Sequence, residues 1–368
     1  SYEENKYQAL RVNPWKAGVQ EIQEKSNFHL KQVPWESNGF YYESDDQPGK
    51  HPWHEAGVYY IQEPSAMAPA VYLEAKPGEK ILDLCAAPGG KTTQIASYMK
   101  GQGILVCNEI HPARAKILSE NVERMGISNA VVSSLSAEYL CEELSGFFDA
   151  VLVDAPCSGE GMWRHNPQVE AQWSKEYVTE CATLQKEILA SAAKAVRAGG
   201  RLVYSTCTFN LQENEENVIW FLKNFPEFTL EKIPKEFGIG GFSGDIKIDG
   251  FVRRVTPLQG GEGHFIARFR KTGESASAIV PTVSEQISPT AKQIVTQFLK
   301  ENFLEIPKGV LLEKNNLVYL VPNIAPQIRG DILRYGLLLG ELRKNRLEPS
   351  HALFTAAGTK PIRSISLS

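Results

Sequence analysis

Asp83-Leu84-Cys85-Ala86-Ala87-Pro88-Gly89-Gly90-Lys91-Thr92-Thr93 follows the apolar pair Ile81-Leu82 and runs into a segment carrying Ile95, Tyr98 and Met99. That order predicts a strand, a tight glycine turn and the start of a helix. Gly89 and Gly90 let the backbone come close to a ligand, and the helix N-terminus beyond them offers free N–H donors. Such a turn suits a phosphate or a carboxylate. The stretch is neither Gly-x-x-x-x-Gly-Lys-Ser/Thr nor Gly-x-Gly-x-x-Gly, so neither a nucleotide P-loop nor a dinucleotide turn fits it. A plain β–α turn without a ligand is the alternative, and the downstream residues argue against it.

Outward from this turn, strand and helix patterns alternate. Strands are predicted at 81–85, 104–107, 130–133, 148–153, 201–205 and 264–269, and helices at 91–100, 112–125, 176–196 and 213–224. Pro112 suits a first helical turn, and Gly126 and Gly199 sit where helices should end. The alternation predicts an α/β fold with a doubly wound, Rossmann-like parallel sheet, whose ligands gather at the carboxyl ends of the strands. Residues 1–57 read as a small N-terminal α+β domain. The sheet domain spans 58–272, and a small, polar linker follows at 273–290. Residues 291–368 form a C-terminal unit with a helix near 290–302, a strand at 317–321 and a helix near 326–334.

The 368 residues are 42% apolar and 22% charged, ordinary for a globular chain. Eighteen consecutive apolar residues occur nowhere, so no membrane partner is expected. The first thirty residues hold no continuous apolar stretch, so no signal peptide is expected either. The chain opens on Ser1 and stops in Ser364-Ile365-Ser366-Leu367-Ser368, so both ends are expected to be cuts. Six cysteines without framework spacing point to a reducing, cytoplasmic compartment, and the absence of Cys-x-x-Cys points away from a zinc site; no metal is expected. Net charge is −4, but residues 291–368 carry 11 basic and 6 acidic side chains, with the cluster Arg343-Lys344-Asn345-Arg346. A basic end on an acidic body suits a phosphate backbone, and a solvated helix face is the other reading of that cluster.

Three further sites stand at predicted strand ends. Glu109, about twenty residues past the turn, is placed to accept hydrogen bonds from a ribose diol. Val151-Leu152-Val153-Asp154-Ala155-Pro156-Cys157-Ser158-Gly159-Glu160-Gly161 is a buried strand ending in an acid and a thiol. Leu202-Val203-Tyr204-Ser205-Thr206-Cys207-Thr208 repeats the plan with a second thiol. A lone cysteine is most often a core residue, which suits Cys85, Cys107 and Cys181. Cys157 and Cys207 instead cap strands beside polar residues, where a thiolate can attack a polarised double bond. Asp154 can supply or share a proton there.

Cys85-Ala86-Ala87-Pro88-Gly89-Gly90-Lys91, Asp154-Ala155-Pro156-Cys157-Ser158-Gly159 and Ser205-Thr206-Cys207-Thr208 together resemble the signatures of the Nop/Sun family of RNA cytosine-5 methyltransferases. Gln62-Glu63-Pro64-Ser65-Ala66-Met67 resembles that family's opening motif, and Gly261-Glu262-Gly263-His264-Phe265 its closing strand. The resemblance covers roughly residues 58–270. The tail, with Gly340-Glu341-Leu342 and Arg346-Leu347-Glu348-Pro349-Ser350-His351-Ala352, is similar to the RsmF branch, which modifies a cytosine of small-subunit ribosomal RNA.

The resemblance implies a class I methyltransferase sheet and a C-terminal RNA-binding domain that stops short of the family's full length. It implies S-adenosyl-L-methionine over Cys85, Ala86, Ala87, Pro88, Gly89, Gly90 and Lys91. The ribose would lie on Glu109, and Asp154 near the methionine end. Ser136 stands where relatives carry an acid for the adenine, with Arg114 nearby. It also implies Cys207 as nucleophile, Cys157 in product release, Asp154 on the base, and Lys91 holding the cytosine or Asp154. The residues alone do not rank the two cysteines, because DNA cytosine methyltransferases place the nucleophile where Cys157 stands. The implied partner is small-subunit ribosomal RNA, bound by a monomer with the base unstacked. N-terminal aromatics (Trp15, Trp35, Phe40, Tyr41, Tyr42, Trp53) suit either base stacking or a small core. Methyl transfer to transfer RNA or large-subunit RNA, a DNA or small-molecule methyltransferase, and a non-catalytic ribosome assembly factor are the alternatives.

Overall fold

The structure, a computed structural model, describes residues 7–164, 166–233, 237–273, 275 and 278–363. Ser1, the serine-rich end at 364–368 and part of the polar segment 271–278 lie outside the described residues.

The predicted strands share one nine-stranded sheet. Its order is Phe228–Glu231, His264–Lys271, Val196–Thr206, Phe148–Asp154, Lys80–Asp83, Ile104–Asn108, Ala130–Ser133 and Ile332–Tyr335, with Arg253–Val255 paired to His264–Lys271. The five strands from Val196–Thr206 to Ala130–Ser133 are mutually parallel. Both faces are buried, so neighbouring residues of a strand enter opposite cores. Leu82, Val106, Val131, Val151 and Leu202 meet the helices Lys175–Ala195 and Glu215–Asn224 through Leu189, Ala192, Val218 and Phe221. Ile81, Leu105, Val132, Leu152 and Val203 face the opposite core, with Ile95 and Met99 of Gly90–Met99 and Leu118 and Val122 of Pro112–Arg124. The direction of strand addition reverses at Lys80–Asp83. A crevice therefore opens at the carboxyl ends of this strand and Phe148–Asp154.

The N-terminal unit is an antiparallel sheet in the order Lys31–Gln32, Gly39–Tyr41, Ala9–Val12, Tyr59–Ile61, with helices Val19–Lys25 and Pro52–Glu55 in the two crossovers. This is a split β-α-β arrangement. Its last strand, Tyr59–Ile61, lies past residue 57. Trp35 and Phe40 are buried here, and the Tyr41 hydroxyl donates to the Gly260 carbonyl, so these three rings pack the molecule.

In the C-terminal unit, helix Pro289–Asn302 and helix His351–Thr355 cover a sheet ordered Val310–Lys314, Leu317–Val321, Leu337–Arg343, Arg346–Pro349. The helix expected near 326–334 is absent. Pro322 and Pro326 break that stretch, and Gly330 and Gly336, both at positive φ, bracket the four-residue strand Ile332–Tyr335. That strand pairs antiparallel with Ala130–Ser133 and closes the edge of the central sheet. The basic cluster lies on a hairpin, where Arg343 pairs with Glu341 and Arg346 with Glu348, both exposed. Among the described residues no helix is long and apolar enough to cross a membrane.

Candidate active site

The predicted turn leaves Lys80–Asp83 and enters helix Gly90–Met99 through Gly89, whose φ of 116° is open to glycine at little cost. A Cβ on Gly90 would lie 3.3 Å from Gln62 and Tyr60, so the turn fits closely under the N-terminal sheet. Between them is a cleft of about 220 Å³. Cys85, Ala86, Ala87, Pro88, Gly90 and Lys91 line one side with Asp83 and Asp154, and Tyr60 to Glu63 line the other.

Asp154 ends its strand inside this cleft. Lys91 Nζ donates to Asp154 Oδ2 at 2.7 Å, and Ser205 Oγ donates to Oδ1 at 2.6 Å. Burial alone would raise the Asp154 carboxyl, but the Lys91 ammonium and these hydrogen bonds hold it below the ordinary carboxylate range. Burial likewise works against the Lys91 charge, and Asp154 more than restores it. On its other side Lys91 Nζ lies 3.4 Å from His264 Nε2, and His264 Nδ1 lies 3.0 Å from Ser65 Oγ.

The two thiols meet. Cys157 Sγ and Cys207 Sγ are 3.3 Å apart, half-buried and not bonded as a disulfide. The Cys157 thiol is pushed well up, first by its hydrogen bond with Cys207, then by burial, with Glu213 near. Below it, the buried Glu213 carboxylate accepts from Ser158 N, Ser158 Oγ, Gln185 Nε2 and Asn210 Nδ2 and so anchors the loop that carries Cys157. Gly161 N–H donates to the Cys207 carbonyl at 2.9 Å, tying the two thiol loops together.

Glu109 ends the strand Ile104–Asn108, buried, with its Oε1 accepting the His111 amide. Arg114, on the outer rim, lies 3.3 Å from Glu109 Oε2 and donates to the Ala87 carbonyl. Exposed Ile110 gives apolar surface directly beside Glu109. Ser136 is the N-cap of helix Ala137–Glu143, its hydroxyl oxygen accepting the Tyr139 amide at 3.3 Å. Asn108 pins the loop before it through Leu135 N and O. Of the six cysteines, Cys107, Cys141 and Cys181 are buried away from the cleft.

Sequence reasoning gave no role to Asp83, Glu63, Ser65, Ser205, Glu213 or His264. The two flanking motifs that contain Glu63, Ser65 and His264 were visible, but their meeting point was not. Asp83 is fully buried; Oδ2 accepts from Thr92 Oγ1 at 2.6 Å, and Oδ1 has no partner among the described residues. Burial pushes this carboxyl up to about 7. An acid with one free oxygen in the cleft and the buried Glu109 at the next strand end suit a ligand with an ammonium group and a diol. S-adenosyl-L-methionine has both, so the residues present fit it.

Three family descriptions match the chain. The 16S rRNA methyltransferase RsmB/F family covers residues 70–270, the N-terminal domain of 16S rRNA methyltransferase RsmF covers 1–64, and the RsmF rRNA methyltransferase first C-terminal domain covers 297–356. The ribosomal RNA small subunit methyltransferase F of Citrobacter koseri is 39% identical over 273 residues, which is 72% of this chain and 57% of that protein. Its namesake in Vibrio vulnificus strain YJ016 is 35% identical over 368 residues, 94% of this chain and 77% of that protein. Among solved structures, a methyltransferase homolog protein from Pyrococcus horikoshii is 32% identical with a TM-score of 0.65, over 73% of this chain and 88% of that one.

Proposed function

The chain belongs to the 16S rRNA methyltransferase RsmB/F family, and on that premise we propose that it methylates C5 of a cytosine in small-subunit ribosomal RNA. The methyl donor is S-adenosyl-L-methionine, which when bound supplies an electrophilic methyl group. The single observation that carries this reading is the pair of sulfurs 3.3 Å apart at the strand ends, next to the Lys91–Asp154 pair of the cleft.

C5 of cytosine is too weak a nucleophile to take a methyl group unaided. The Cys207 thiolate would add to C6, and the electron pair of the C5–C6 bond would move onto C5, which would take the methyl carbon as that carbon's bond to the donor sulfur breaks and the pair stays on sulfur. Asp154, held as a carboxylate, accepts from the exocyclic amine, and a Lys91 N–H donates a hydrogen bond to N3 as negative charge gathers there, with no net proton transfer. The C5 proton then leaves to solvent water, the C5–C6 double bond reforms and the Cys207 sulfur departs with its electrons. With Cys207 as the thiolate, Cys157, whose thiol is pushed up, is the partner that can donate an S–H hydrogen bond to it across 3.3 Å. That contact steadies the departing thiolate and suits Cys157 to release. The proposal takes Cys207 as the nucleophile, as the resemblance implies, and the raised Cys157 thiol supports that division.

Cys85 to Lys91 and Asp83 would hold the methionine end of the cofactor. Glu109 would hold the ribose, with Ile110, Ser136 and Arg114 toward the adenine side. The test uses small-subunit RNA labelled with tritium at cytosine C5. Release of tritium to water in step with methyl transfer is the expected result. Methyl transfer without that release would place the modification on another atom.

A further inference from the structure

We propose that His264 is a positioning residue: it locks the Lys91 ammonium against Asp154 and leaves one Lys91 N–H for the target base. The proposal rests on the functional reading above.

His264 opens the strand His264–Lys271, whose Phe265 stands opposite Thr206, so it comes within one residue of the strand end that carries Cys207. Its side chain is 5% exposed. The hydrogen bonds around it fix where its proton lies. Glu63 is an acceptor for four donors: Ser65 N, Ser65 Oγ, Ala66 N and Glu262 N. The only hydrogen of the Ser65 hydroxyl is used on Glu63 Oε2, at 2.5 Å. Toward His264 the Ser65 oxygen can then only accept, so Nδ1 carries the imidazole proton and Nε2 is bare. The Gly263 amide, 3.2 Å from the same oxygen, agrees with that direction.

A bare Nε2 facing an ammonium at 3.4 Å is an acceptor. Lys91 has three N–H bonds. One goes to Asp154 Oδ2 and one to His264, and among the described residues the third has no partner, on a side chain that lines the cleft. The charged groups facing His264 are Lys91, Asp154 and Glu63, the last at 3.8 Å from Nδ1. Burial and the adjacent ammonium push the imidazole down to about 3, so it stays neutral and does not repel Lys91. A row of contacts from Glu63 through Ser65 and His264 thus sets the direction of Lys91. Without the imidazole, the lysine would keep Asp154 as its one fixed partner and its remaining N–H bonds would turn freely.

Two substitutions separate hydrogen bonding from packing. In His264→Gln a carboxamide oxygen can accept from Lys91 while its NH₂ donates to Ser65; in His264→Phe neither is possible. The Phe variant is expected to lose about tenfold in kcat, and the Gln variant to stay within about threefold of the parent chain, as for one hydrogen bond to a charged group. KM for RNA should change little in either. On ¹⁵N-labelled protein, His264 should show a protonated Nδ1 and a bare Nε2, with no titration between about pH 5 and 8. A His264 that titrates in that range overturns the proposal. So does a Phe variant with the parent's kcat, or a Gln variant as slow as the Phe variant, which would leave only packing. If the parent chain releases no tritium from cytosine while the imidazole shows the expected tautomer, the functional reading fails and the positioning of Lys91 stands.

Discussion

At the scale of single residues, two thiols 3.3 Å apart cannot both ionise, since each thiolate opposes the other. Cys157 is the one pushed up, by its bond to Cys207 first and burial second, and the proposal gives Cys207 the thiolate role. Two substitutions follow from that division. Cys207→Ala should abolish methyl transfer while S-adenosylhomocysteine still binds, measured by calorimetry. Cys157→Ala should accumulate a covalent RNA–protein adduct, seen as a slow band on a denaturing gel; normal turnover without that band would remove Cys157 from release. The Lys91–Asp154 pair carries a pH prediction. Burial raises the Asp154 carboxyl and Lys91 reverses that rise, so the native group ionises below its ordinary range. Its contribution is present at neutral pH and is lost as pH falls through that lowered value. Lys91→Met removes the ammonium and leaves burial in command. The acid limb of residual kcat against pH should then move to higher pH, and an unmoved limb would mean that another group titrates there.

At the scale of elements, the loop after Val196–Thr206 is held from below by two others. Arg254, from the strand Arg253–Val255, donates to both carboxylate oxygens of Glu215 at the start of helix Glu215–Asn224, at 2.8 and 2.5 Å. Its remaining arm donates to the Phe209 carbonyl, two residues past Cys207. Both charges are almost fully buried. Arg254→Met therefore leaves Glu215 buried without its partner and should cost about 3 kcal/mol, read from the shift of a denaturant midpoint. A change below about 0.5 kcal/mol would show that the helix end is not tied through this pair. The helix expected near 326–334 fails at the same scale. Apolar spacing in 332–335 fits a helical turn or a short strand equally well. The unpaired edge of Ala130–Ser133, about two hundred residues earlier in the chain, selects the strand.

At the scale of the whole molecule, the N-terminal unit builds the second wall of the cleft. Arg11, 1% exposed on the strand Ala9–Val12, donates to Gln62 Oε1, to the Gly90 carbonyl and to Thr93 Oγ1 at 3.1, 3.0 and 2.7 Å. It joins the first strand of the chain to the helix start that the glycine turn opens. Arg11→Met should weaken S-adenosylhomocysteine binding about tenfold, by loss of one to two hydrogen bonds from a charged donor, in a chain that still unfolds cooperatively. Unchanged affinity would make the N-terminal unit a neighbour of the cleft and not part of it. The unbroken apolar character of Ile81-Leu82 or Val131-Val132 was readable in the chain, because a strand covered on both faces needs apolar side chains wherever it sits in the sheet. The glycine turn and the acid and thiols at strand ends were readable for a related reason: each is a local device whose chemistry stays within a few residues. The meeting of Ser65 with His264, 199 residues apart, was not readable; that Cys157 and Cys207 act at one site was expected from the sequence, and the sheet order set their sulfurs 3.3 Å apart. No spacing along a strand encodes which strand becomes its neighbour. That choice is made by the summed burial of the whole sheet, and it alone put a histidine beside a lysine and one thiol against another.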